Sequence, residues 1–159
     1  MRKSILGAVA LAFAALGPVA CGEAPEQPAG NPAAPEGISV ANARLVLPAV
    51  SGNPGAIYFD ITNESERNTM IRAVSVIGAG SAVMHMTATW SNEVDMQEIL
   101  QQAVNAGETV KFEPGALHVM VMDIGDTITA GSEAEVTLTF VGGDKVSFPA
   151  EVLAAGDAR

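Results

Sequence analysis

Two histidines and a group of methionines are the side chains of this sequence whose types and spacing suggest chemistry. His85 sits inside Met84-His85-Met86, and His118 opens the run His118-Val119-Met120-Val121-Met122. Of seven methionines, Met84, Met86, Met96, Met120 and Met122 fall in one 39-residue window. Singly, a strand methionine is a flexible core filler and a strand histidine a hydrogen-bonded core residue. The combination points elsewhere. On a strand, His118 and Met120 share one face about 6.6 Å apart, so an imidazole and a thioether can close on one ion.

Thioether sulfur is a soft donor that favours Cu(I), suits Zn(II) poorly and offers little to Ca or Mg, whereas imidazole accepts copper in either oxidation state. A site of histidines and methionines without thiolate or carboxylate therefore points to Cu(I). Period-two alternation also sorts the neighbours. With His85 toward the ion, Met84 and Met86 face the opposite side and pack. Met96 then becomes the candidate for the second sulfur. Met122 continues the row of His118 and Met120 for roughly another 6.6 Å and reads as a wall or spare sulfur.

The elements that must position these residues are strands. From Ile38 onward, short runs rich in Val, Ile, Thr and Phe recur between Gly, Pro and Asn punctuation: ISVANARLVL, AIYFDITN, MIRAVSVI, AVMHMTATW, TVKF, LHVMVMDI, AEVTLTF and KVSFPAEV. Seven or more short strands in one domain predict an all-β Greek-key sandwich or barrel. AEVTLTF alternates cleanly, with Val136, Leu138 and Phe140 on one face. One segment resists. Met96 to Gly107 is rich in helix formers and ends at glycine, so propensity favours a short helix there, and the residues alone leave helix and strand open.

The first twenty residues stand apart from the domain. Arg2 and Lys3 precede the apolar run ILGAVALAFAALG, which is short for a bilayer span, and small residues follow before Cys21. This pattern reads as a secretory signal, and the destination is extracytoplasmic, hence periplasmic in a two-membrane bacterium. The lone Cys21 behind it, in PVAC followed by glycine, resembles a bacterial lipobox and predicts a lipidated N-terminus. Residues 21–37 carry no large apolar side chain and read as an extended Pro/Ala-rich tether. The folded domain is then 38–153, with 154–159 a short tail. With two of the eight basic residues in the signal and all eighteen acidic ones beyond it, the rest of the chain carries −12. Such charge disfavours nucleic acid and anionic membrane surfaces and suits a monomeric carrier that meets a membrane only through its lipid. Since the domain lacks cysteine, a blue-copper electron-transfer site, which needs a thiolate, is excluded. Two histidines without a catalytic dyad also argue against a copper enzyme.

The spacing carries a resemblance. His85, ten residues, Met96, twenty-one residues, His118, one residue and Met120 reproduce the H-x10-M-x21-H-x-M pattern of the periplasmic copper chaperones called PCuAC. GAIYFDITN and AGETVKFEPGALHVMVM resemble further stretches of that family, so the likeness spans about 38–153. It implies a cupredoxin-like β-barrel that binds one Cu(I) through His85, Met96, His118 and Met120 at a fairly exposed site, with 97–106 mostly strand and loop. It also implies delivery to a cuproprotein, the binuclear copper centre of cytochrome c oxidase, together with a Sco-type thiol protein. Copper storage, or a degenerate site in a β-sandwich lipoprotein, is the alternative. Some members add a His/Met-rich tail for Cu(II), and AAGDAR carries no such ligand.

Overall fold

Alternation in the sequence becomes alternation in burial. β2 (Gly55–Asn63) buries every second residue along its whole length. In β9 (Glu133–Phe140), Val136, Leu138 and Phe140 are each at most 1% exposed. The structure is a computed structural model describing residues 34–90 and 93–157. The signal, Cys21 and most of the tether lie outside the described residues. The other strands are β1 (Ile38–Val46), β3 (Thr69–Val76), β4 (Ala79–Trp90), β5 (Glu93–Glu98), β6 (Gln102–Val104), β7 (Thr109–Phe112), β8 (Leu117–Ile124) and β10 (Lys145–Leu153). No described segment is helical, so the expected all-β class holds.

The strands run in the order β5-β4-β8-β2-β1-β10-β9-β3-β6, and a further β3–β4 pairing at Val74 and Ala82 joins the path into a closed barrel of seven strands, β4 through β3. β1 and β10 are parallel and every other pair antiparallel. Closure removes most of the free sheet edge and leaves β5, β6 and β7 as short appendages to it. Inside, Phe59 stacks on Phe112 at 4.1 Å and meets Phe148 at 5.5 Å, among fully buried Leu45, Ile57, Ile61, Ile71 and Val119.

The segment with helical propensity is strand and loop. Glu98 pairs with His85 and Met96 with Thr87, and then Gln102, Ala103 and Val104 pair with Ile71, Met70 and Thr69. Helix propensity is worth only tenths of a kcal/mol per residue, less than the ladder bonds and burial that two waiting strand edges supply. Gly107, with φ of 73°, takes the left-handed turn that follows. The β4–β8 register is fixed near one end by shape. A Cβ on Gly80 would lie 2.8 Å from the Cβ and from an Oδ of Asp123, its opposite number, whose own φ is 52°. Only glycine fits beneath that side chain.

Candidate metal centre

β4 and β8 bring the two histidines face to face. His85 is the direct register partner of His118, Val83 of Met120 and Ser81 of Met122. Opposed residues of an antiparallel pair share a face, so His85, His118, Met120 and Met122 form one patch on the outside of the barrel. The other face of the same strands holds Met84, 3% exposed, with Val119 and Val121, both fully buried. Met84 packs inward as its parity predicts. Met86 lies on that same side yet is 42% exposed, beyond the edge of the core.

The imidazole rings lie 6.0 Å apart between centroids with their planes 23° from parallel. Each is tied to the backbone two residues earlier: His85 Nδ1 is 3.2 Å from the Val83 oxygen and His118 Nδ1 is 2.9 Å from the Ala116 oxygen. A carbonyl can only accept, so Nδ1 carries the proton in both rings. In the neutral ring Nε2 then keeps its lone pair. This is the tautomer and orientation that a metal-binding imidazole needs, fixed by a partner behind the ligand. The Ala116 oxygen also accepts the amide of Thr87 at 3.1 Å, which ties the turn before β8 to β4. Neither carbonyl could have been found from the sequence, because every residue type supplies one.

Exposure is graded across the cluster. His118 is 5% exposed, His85 and Met120 are half-buried, and Met96 is 51% exposed. The fairly exposed site that the sequence pattern implied is thus exposed on one side only. The covered side faces β2. Its register with β8 pairs Ala56 with Met120 and Ile57 with Val119, and Tyr58 follows on β2. The guanidinium of Arg44 sits 5.0 Å over the Tyr58 ring. On the open side, β5 places exposed Glu98 opposite His85, and Met96 opposite Thr87. Met96 is therefore on the same face as the other three candidates but diagonal to His85. The structure brings His85, His118 and Met120 together and sets Met96 at their margin, with Met122 one step further along the opposite way.

The donor set is two imidazoles and neighbouring thioethers. Among the described residues no group of three or more His, Cys, Asp or Glu side chains converges as metal ligands. Imidazole and thioether side chains suit a soft ion better than Ca or Mg, which require oxygen ligands. Three concavities of the barrel are lined elsewhere, by Glu133 and Phe148, by Pro35 and Asp144, and by Leu47 and Ile128.

Comparison with known proteins agrees with this architecture. The family described as "Putative lipoprotein LpqE-like" matches residues 38–152. "Putative lipoprotein Lxx21020" of Leifsonia xyli subsp. xyli (strain CTCB07) is 30% identical over 109 residues, which is 68% of this chain and 64% of that relative. The chain therefore spans a little under two thirds of the curated relative it matches. Among solved structures, the copper-bound PCuAC domain from PmoF2 superimposes with a TM-score of 0.62 at 22% identity, over 74% of this chain and 93% of that one. The Cu(I) form of DR1885 from Deinococcus radiodurans does so with a TM-score of 0.58 at 22% identity, over 82% and 85%. At these identities the likeness establishes the fold, which is that of PCuAC domains.

Proposed function

The chain belongs to the LpqE-like lipoprotein family, and on that premise we propose that it is an extracytoplasmic copper chaperone, not an enzyme, which binds one Cu(I). The observation that carries this reading is the His85–His118 pair, with both Nδ1 atoms bonded to carbonyls and Met120 on the same face of the sheet. The copper named for the PmoF2 domain and for the D. radiodurans protein, which share the fold, supports it. His118 and Met120 hold the ion from β8, His85 from β4 and Met96 from β5. Neutral donors keep Cu(I) without the strong charge attraction of thiolates, so the ion can leave by ligand exchange.

Lipid on Cys21 would anchor the carrier, and residues 22–37 would give its domain reach from the membrane surface. The recipient in this reading is a cuproprotein, the binuclear copper centre of cytochrome c oxidase, assisted by a Sco-type thiol protein. The test is titration of the purified domain with Cu(I) against a chelator of known affinity, followed by transfer to candidate apo-proteins. One Cu(I) per chain is expected, with Zn(II) a poor competitor because two thioethers suit a borderline ion badly. Zinc affinity equal to that for Cu(I) would overturn the soft-donor reading.

A further inference from the structure

The four proposed ligands are not equivalent in the fold. His118 and Met120 stand on β8, which is paired on one side to β4 and on the other to β2. His85 stands on β4, paired to β8 and to β5. Met96 stands on β5, the last strand of the path, whose described pairing is to β4 alone. Burial follows the same order, from His118 at 5% exposed to Met96 at 51%. Edge strands with few buried contacts are the elements that open at least cost.

Register adds a direction. Met120 lies two residues from the His85–His118 pair toward one end of the strands, and Met96, opposite Thr87, lies two residues from it toward the other end. With about 4.8 Å between strands and about 3.3 Å per residue, His85, His118 and Met120 have Cα atoms within about 8 Å of one another in a flat sheet. On the same spacing Met96 and Met120 are about 16 Å apart, at opposite corners of the cluster. One ion seated at the histidine pair reaches Met120 from the barrel as it stands. Met96 is about 8 Å from His85 but about 12 Å from His118 on the same spacing, so it is the donor farther from the pair.

Resting on the copper-carrier reading, we infer that His85, His118 and Met120 form a fixed three-donor platform and that Met96 is the exchangeable fourth donor, displaced when the acceptor approaches over the free edge of β5. In that step the bond from copper to the Met96 sulfur breaks as a lone pair from the acceptor's donor atom forms the new one. Copper stays Cu(I), no electron moves, and the thioether leaves uncharged. Approach from the opposite flank is blocked, because β2 is paired to β8 there, with Ala56 opposite Met120. Along β5 the neighbours Asp95, Gln97 and Glu98 are all exposed, so an acceptor meets no buried contact that it must first break.

The experiment compares Met96→Leu with Met120→Leu in the Cu(I)-loaded protein, using bicinchoninate as the acceptor probe. Leucine keeps the volume and removes the sulfur, and a thermal melt checks that each variant folds. Met120→Leu is expected to lose about tenfold more affinity than Met96→Leu. Met96→Leu is expected to release copper to the probe faster than the parent, and X-ray absorption should show one sulfur fewer around copper with both nitrogens retained. Equal affinity losses with no gain in release rate for Met96→Leu would overturn the inference, since the four donors would then act as one unit. If neither variant alters Cu(I) affinity, the ligand assignment itself fails, and the order of release fails with it.

Discussion

The β4–β8 pair carries methionine on both of its faces and uses it differently on each. On the inner face Met84 is the register partner of Val119 and shares the core with Val121, where a flexible unbranched side chain fills space. On the outer face Met120 is the partner of Val83, half-buried on the same side as the two imidazoles. One residue type on one pair of strands is thus a core filler on the inner face and, in the copper-carrier reading, a donor on the outer one. The lesson is that composition identifies the thioethers, and the strand period assigns their work.

Mutation can break that comparison. The largest effect on stability belongs to the inner face. Met84→Ala should cost about 2–5 kcal/mol by removing buried volume, read as a lower urea midpoint, while the folded fraction still binds one Cu(I). Lost copper binding with unchanged stability would mean that the two faces have been exchanged. On the outer face, Met120→Leu should change stability by less than about 1.5 kcal/mol. The same variant should lower Cu(I) affinity by about tenfold or more, ~1.4 kcal/mol, in a chelator competition. A variant that melts early yet binds normally would place Met120 in the packing instead. The smallest effect is expected at Met86, which is on the inner side but 42% exposed. Met86→Leu should stay within about 0.5 kcal/mol of the parent in stability and leave copper affinity unchanged, and a loss in either measurement would give Met86 a role that its position does not.

Much of this was legible in the chain. Runs such as Leu117–Ile124 and Thr109–Phe112 announce themselves by alternation and coincide with observed strands. Parity alone separated His85 from its two methionine neighbours. Met96–Val104 was legible as strand only through the family resemblance, because its residues favour helix locally and the pairing of Gln102–Val104 with Thr69 to Ile71 joins segments distant in sequence. The opposition of His85 and His118 was likewise hidden, since a period of two fixes the face of a residue and not the register of its strand. The grading of exposure from His118 to Met96 depends on strand order, which no local pattern contains.

The shared oxygen of Ala116 has a consequence for how the site can be watched. It accepts the Thr87 amide at 3.1 Å and the His118 Nδ1 at 2.9 Å, so one atom serves both a ladder bond and a ring anchor. Any ion that draws the His118 ring toward it alters the sharing of that oxygen and therefore the protection of the Thr87 proton against solvent deuterium. A backbone amide that touches no metal thereby becomes a gauge of cargo, readable one residue at a time in a folded, unlabelled site.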